Sequence, residues 1–300
     1  ETEELARFFQ QRIKGQEAAI QRLCRIIKVF KTGLNNPHKP IANLLFAGPT
    51  GVGKTAAAKA LADYFFGKGR SQTPLVRLDM SEFQSAWQIG RLIGDGREPG
   101  QLVREIRERP FSVLLLDEVE KADPAVFDAL LNALDEGILT DAAGRITNFR
   151  NTIIIMTTNL GANNGLPIGF AGERSASDNT RAAILKHFRP EFVNRIDDIV
   201  VFEQLSKDHI RAIAERELEE FARREGFTAK SLQLIFSERV AMHLTDTGFD
   251  PVYGARPLQR ALEREVAAPL AAWLLKRPKL QDATLRIDFD GELKVVVSQQ

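Results

Sequence analysis

The chain has 300 residues, with 41 Lys and Arg against 40 Asp and Glu, so its formal net charge is +1. Near-neutrality argues against a dedicated nucleic-acid binder, which carries a basic excess, and against an acidic disordered tail. An apolar fraction of 44% beside 27% charged residues is ordinary globular composition. At about 150 residues per domain, the length fits one large domain or a large and a small one. No apolar run approaches the roughly 20 residues of a membrane span, and no signal-peptide pattern opens the chain. The single cysteine, Cys24, cannot form a disulfide within the chain. It lies in an apolar helical stretch, Ile20–Ile27, where a buried, inert thiol is expected in a reducing compartment. A soluble, cytoplasmic, enzyme-sized protein is the expectation. The chain opens on Glu1 rather than Met, as an internal module of a longer protein would.

Five short apolar runs read as strands: Ile41–Phe46, Leu75–Asp79, Phe111–Asp117, Thr152–Thr157 and Ile199–Phe202. Near-continuous apolar runs of this kind mark strands covered on both faces of a parallel sheet. Between them, Lys54–Phe66, Gly100–Glu108 and Ala125–Leu134 carry helical periodicity, so the first two-thirds predict a doubly wound α/β domain. The pattern changes near Leu205. Lys207–Arg224, Glu238–Thr247 and Pro257–Leu275 read as helices with no long buried strand among them. Thr284–Phe289 and Leu293–Val297, joined by Asp290-Gly291, predict a closing hairpin. The expected division is an α/β core over 1–204 and a mainly helical lid over 205–300. Gly161–Asp178, rich in Gly, Asn and Ser, reads as a long exposed loop.

Gly48-Pro49-Thr50-Gly51-Val52-Gly53-Lys54-Thr55 matches G-x-x-x-x-G-K-[ST] in full, after an apolar strand and at the start of a helix. Glycines let backbone N–H groups turn inward and cradle phosphate oxygens at the positive end of the helix dipole. Lys54 is expected to reach the β- and γ-phosphates of ATP, and the Thr55 hydroxyl to hold Mg²⁺. The run Val113–Asp117 ends in Asp117 and Glu118, acids at the carboxyl end of a parallel strand, where ligands bind. Asp117 is expected to complete the magnesium shell from the second sphere, and Glu118 to orient or deprotonate the attacking water. Asn159, after the strand Thr152–Thr157, either holds that water from the other side or caps a turn. Spacing alone does not separate the two.

These segments, with Phe149-Arg-Asn-Thr152, the run Phe188–Asp197 and Gly254-Ala-Arg256-Pro-Leu, resemble the Clp family of AAA+ unfoldases. The similarity is to the second ATPase module of the two-ring types (ClpA, ClpB, ClpC, ClpV). It implies a P-loop NTPase with a three-layer α/β/α core and a small helical lid ending in a β-hairpin. It also implies ATP hydrolysis coupled to remodelling of protein clients, and a homo-hexamer with nucleotide at each subunit interface. By the same resemblance Ile13 and Lys14 border the adenine and Asn159 is the first sensor. Arg195 is the arginine finger reaching a neighbour's γ-phosphate, and Arg256 is the second sensor on the small domain.

The chain departs from the family twice. The loop after Leu92-Ile-Gly94, Asp95–Gly100, is shorter than the substrate-gripping loop of threading members and carries no aromatic residue. Either Arg97 and Glu98 supply a weaker polar contact, or the ring is a platform for another translocating element. Phe83 and Trp87, upstream of it, are expected to be packing residues. The second pore-facing loop, Thr140–Asn148, keeps the family's length and character. Ile168-Gly169-Phe170 sits where members that feed a ClpP-like peptidase carry a docking tripeptide. A loop anchor on its own subunit is the alternative. A nucleotide-controlled assembly scaffold remains a rival function. The four histidines lack metal-ligand spacing, and neither nucleic acid nor membrane is expected as a partner.

Overall fold

The computed structural model describes residues 2–67, 74–161, 176–250 and 253–299. Packing divides the chain into two compact units, one of Glu1–Pro49 with Gly53–Glu203, the other of Thr50–Val52 with Gln204–Gln300.

The first unit is built on a five-stranded parallel sheet of β1 (Ala42–Ala47), β2 (Leu75–Asp79), β3 (Ser112–Asp117), β6 (Thr152–Thr158) and β7 (Asp198–Val201), in the order β2-β3-β6-β1-β7. The three central strands β3, β6 and β1 are buried almost end to end. Helices cover both faces, so these strands have no solvent side and their sequences need no polar alternation. Helix Lys54–Phe66 follows β1, and helix Pro124–Glu136 follows β3, with Asp123 accepting a hydrogen bond from Ala125 N–H at its start. The main core runs from Leu45 and Val76 through Leu114, Leu116 and Met156 to an aromatic cluster of Phe127, Phe188 and Phe192.

Between helix Pro124–Glu136 and β6 the chain makes an antiparallel pair, β4 (Ile138–Thr140) with β5 (Ile146–Asn148). The buried Asp141 carboxylate accepts from the N–H groups of Ala143 and Arg145 and pairs with the Arg145 guanidinium, which fixes the turn. The stretch read as a loop, 140–148, is therefore a small hairpin. Two helices, Thr2–Arg12 and Glu17–Lys31, precede the sheet. Cys24 is buried in the second, and burial pushes its thiol above the ordinary range, which leaves it unreactive.

The second unit holds helices Lys207–Ala222, Glu238–Gly248 and a run from Leu258 to Leu275 around a core of Leu218, Phe221, Leu244, Leu262 and Leu285. That last run contains a π turn, Glu263–Ala267, immediately before Ala268-Pro269. Proline has no N–H to return to the carbonyl four residues back, and the helix widens there to accommodate it. The closing hairpin of β9 (Ala283–Phe289) and β10 (Leu293–Gln299) has a third partner, because β8 (Leu232–Phe236) pairs parallel with β9.

Three sequence expectations need correction or lie out of view. Phe83 is 1% exposed and packs as expected, but Trp87 is 76% exposed. It sits in a short turn, Ala86–Gln88, closed by Gln88 N–H to Ser85 O and by Ser85 N–H to the Gln88 side chain. That closure directs the indole outward. The loop Gly161–Asp178 ends sooner than read, since a helix begins at Ala176. Ile168-Gly169-Phe170 lies outside the described residues.

Candidate functional site

The carboxyl ends of β1, β3 and β6 meet at one edge of the sheet, the usual ligand position in an open parallel sheet. After β1 the chain needs a loop that no residue with a Cβ could follow. Gly48, Gly51 and Gly53 have φ of 148°, 75° and 108°. A Cβ on Gly48 would stand 2.4 Å from the Phe202 carbonyl oxygen. Gly48 N–H donates to Thr158 O at 3.2 Å and Phe202 N–H to Ala47 O at 2.7 Å, which pins the loop between β6 and β7.

Lys54 opens the helix after this loop and is only 8% exposed. Its ammonium donates to Gly48 O at 2.5 Å, Pro49 O at 2.7 Å and Asn159 Oδ1 at 2.9 Å. Burial lowers its pKa to about 8, opposed by the carboxylates of Glu120, Asp117 and Glu118, which favour the charged form. Asn159 N–H in turn donates to Glu120 Oε1 at 3.1 Å. Thus Lys54, Asn159 and the acidic stretch after β3 form one connected site. Thr55, the next residue, is half-buried in the same first turn.

Both oxygens of Asp117 are engaged. The Arg77 guanidinium on β2 donates to Oδ2 at 2.6 Å and 3.1 Å, and the Thr157 hydroxyl donates to Oδ1. Glu118 sits at φ 57°, an uncommon left-handed conformation for a residue with a side chain. Its N–H donates to Thr157 Oγ1 at 3.0 Å, and its carboxylate pairs with Lys121. Arg77, Glu120, Lys121 and Thr157 belong to this site and were not singled out from the sequence. No sequence signal pointed to Arg77, because it stands at an exposed position of the alternating edge strand Leu75–Asp79.

Ile13 is buried, and its Cγ2 lies 3.7 Å from where a Gly53 Cβ would be, so it lines the loop. Lys14 is half-exposed in the following turn, where Gly15 has φ 68°. Gln16 makes a reciprocal pair with the backbone of Glu203, donating to its carbonyl at 2.8 Å and accepting from its N–H at 2.9 Å. Arg195 is held elsewhere: its guanidinium contacts Glu191 O and stands 3.5 Å from Asp135 Oδ2. Buried Asn43 donates to the backbone carbonyl of Arg195 at 3.1 Å and of Leu134 at 2.8 Å, which fixes that segment to β1. Arg256 belongs to the second unit, exposed beside Gln259, Arg260 and Glu263.

Among the described residues no group of three or more His, Cys, Asp or Glu is placed to hold a metal by itself. The Thr55 hydroxyl and the Asp117 carboxylate are hard oxygen donors of the kind that suit Mg²⁺, which takes one or two protein oxygens and keeps several waters. The left-handed glycines and the buried ammonium fit a polyphosphate.

A parallel sheet bearing a complete phosphate loop after β1 and two consecutive acids at the end of β3 defines a P-loop nucleotide-binding protein. Residues 39–199 match the AAA domain (Cdc48 subfamily), and residues 205–287 match the C-terminal, D2-small domain of ClpB protein. The chain belongs to the AAA family, as a D2-type module of the Clp AAA+ proteins. It is 41% identical over 305 residues to the chloroplastic chaperone protein ClpC2 of Oryza sativa subsp. japonica, covering 96% of this chain and 33% of that protein. It is 42% identical over 289 residues to chaperone protein ClpB of Vibrio vulnificus (strain YJ016), covering 94% of this chain and 33% of the relative. To the ATP-dependent Clp protease ATP-binding subunit ClpA homolog of Guillardia theta it is 41% identical over 309 residues, covering 96% and 37%. The chain thus spans about a third of the length of the curated relatives it matches. An AAA domain implies nucleotide binding and ATP hydrolysis. Among the described residues no helix is long and apolar enough to cross a membrane.

Proposed function

We propose that this module hydrolyses ATP as one subunit of a homo-hexameric ring in a Clp-type unfoldase or disaggregase that remodels protein clients. The observation that carries the reading is the buried Lys54 ammonium, bonded to two phosphate-loop carbonyls and Asn159 with three carboxylates facing it. Loop N–H groups from Gly48 to Thr55 bind the triphosphate, with Ile13 and Lys14 beside the adenine. Lys54 exchanges its carbonyl partners for β- and γ-phosphate oxygens. Thr55 and Asp117 would hold Mg²⁺, which supplies charge neutralisation between those phosphates. Glu118 takes the proton of the attacking water, and Asn159 orients that water. Arg195 is assigned to the γ-phosphate of a neighbouring subunit, and Arg256, on the small subdomain 205–300, to reporting nucleotide state to the large subdomain 1–204.

The direct test is ATP turnover by the purified chain, titrated to concentrations at which it assembles. Lys54→Ala is expected to abolish binding. Glu118→Gln is expected to retain nucleotide while turnover falls by about 10²–10⁴. Wild-type turnover in Glu118→Gln would overturn the assignment.

A scaffold role, with nucleotide controlling assembly only, is favoured by one observation. The segment 94–100 is a closed turn, bridged from Gly94 to Pro99, with Asp95 Oδ1 accepting from Arg97 N–H at 2.9 Å and Glu98 N–H at 3.1 Å. It offers no aromatic side chain to a substrate. ATP consumption without unfolding of a fluorescent client by the full-length protein would select that reading. Docking of a ClpP-like peptidase would rest on Ile168-Gly169-Phe170; Ile168→Ala with Phe170→Ala is expected to abolish peptidase activation alone.

A further inference from the structure

We infer that Thr157 is a positioning residue for ATP hydrolysis, holding Asp117 and Glu118 in one fixed relation through a single buried hydroxyl. The inference rests on the ATPase reading above. Thr157 is 1% exposed near the end of β6, so its hydroxyl has no water to turn to. A hydroxyl carries one proton and two lone pairs. The proton goes to Asp117 Oδ1, and a lone pair accepts the Glu118 N–H at 3.0 Å.

Each bond does something different. With Oδ1 taken by Thr157 and Oδ2 by Arg77, the plane of the Asp117 carboxylate is fixed. The bond to the Glu118 amide acts on a backbone that would otherwise avoid its position. A residue with a side chain held at φ 57° persists only where its surroundings enforce it. Release of that amide lets residue 118 relax toward negative φ, which swings the carboxylate away from the phosphate loop. Lys121 cannot compensate, because it grips only the end of the Glu118 side chain. Thr158, the neighbouring hydroxyl, is committed to Leu160 N–H at 3.2 Å. One side chain on β6 therefore sets the geometry of two acids that belong to β3 and its following turn.

The test compares Thr157→Val, which keeps the shape and loses the hydroxyl, with Thr157→Ser, which keeps the hydroxyl. Three quantities are read: steady-state ATP turnover, retention of a fluorescent ATP analogue, and amide hydrogen exchange at Glu118 in the nucleotide-free protein. Thr157→Val is expected to lower kcat by about 30-fold, with analogue affinity within about threefold of wild type. Glu118 amide exchange is expected to quicken at least about tenfold. Thr157→Ser is expected to restore both. Should Thr157→Val fail to fold, Thr157→Cys is read the same way, since a thiol is a weak donor and acceptor. Wild-type turnover in Thr157→Val overturns the inference. So does a loss of turnover that Thr157→Ser does not rescue, or unchanged Glu118 exchange. If the wild-type chain itself does not cleave ATP, the ATPase reading fails, while the exchange measurement still decides whether Thr157 holds the Glu118 backbone.

Discussion

Raising the pH from about 7 to about 9 is expected to weaken nucleotide binding about tenfold, through Lys54 alone. In the free protein burial brings this ammonium to about 8, despite three nearby carboxylates. A triphosphate placed against it adds negative charge and restores the protonated form well beyond that value. Only protonated Lys54 binds strongly, so affinity follows its protonated fraction in the free protein. That fraction is about 0.9 at pH 7 and about 0.1 at pH 9, from a pKa of about 8. The second ionisation of a phosphate lies near pH 6, outside this window. Linkage adds an independent readout: at about pH 8 each binding event takes up about half a proton. The assay is a fluorescent-analogue titration across the range, with calorimetry in two buffers of different ionisation enthalpy to count protons. A flat affinity profile, or no proton uptake near pH 8, would refute the argument that Lys54 is desolvated in the free site.

The same shift acts on folding with the opposite reward. Because the native pKa lies below the unfolded value, the unfolded chain binds more protons between about pH 8 and about 10.5, and the cost of the buried charge is fully present below that window. Without nucleotide, wild-type stability is therefore expected to rise between about pH 8 and about 10.5 relative to Lys54→Met, which has no group titrating at that position. The readout is a pH-dependent difference in melting temperature, while Lys54→Met loses binding. Gly48→Ala places a methyl 2.4 Å from a backbone carbonyl and is expected to lower the melting temperature as well as binding; an unchanged melting curve would contradict the loop's close fit. Arg195→Ala is expected to leave analogue affinity within a few-fold but cut turnover of the assembled protein by about 10³–10⁵. Normal turnover in that variant would remove Arg195 from the site.

The parallel sheet was legible because burial on both faces leaves little room for polar residues, and β1, β3 and β6 read as apolar runs accordingly. The phosphate loop was legible because its glycines and lysine are contiguous. β8 was not, because Leu232–Phe236 is short, half-exposed and paired with a strand some fifty residues later, β9. Local pattern carries little information about such a partner. The outward indole of Trp87 was hidden for a similar reason, since its direction depends on the closure of the turn Ala86–Gln88. Of the four missed site residues Lys121 pairs locally with Glu118, whereas the other three, Arg77, Glu120 and Thr157, act across strands. Sequence reading finds residues that are neighbours in the chain, whereas these become neighbours only when β2, β3 and β6 are laid side by side.

Much of the site's charge already has a partner within its own chain. Lys54 has two loop carbonyls and Asn159; Asp117 has Arg77 and Thr157; Glu118 has Lys121. Buried charges without partners would cost several kcal/mol each, so these internal bonds let the fold exist without a ligand. They also mean that ATP binding is an exchange of partners and yields only the difference between old and new contacts. The Arg77–Asp117 pair makes the consequence specific. If Asp117 helps to hold Mg²⁺ as proposed, the cation would compete with a guanidinium already bonded through two nitrogens, and Arg77 would limit its retention. Arg77→Met is expected to tighten magnesium dependence, lowering the Mg²⁺ concentration for half-maximal turnover by about fivefold, because a hydrogen bond to a charged group is worth about 1.5–3 kcal/mol and only part of it is lost on exchange. A magnesium requirement unchanged or increased in that variant would mean that Arg77 orients Asp117 for the cation rather than competing with it.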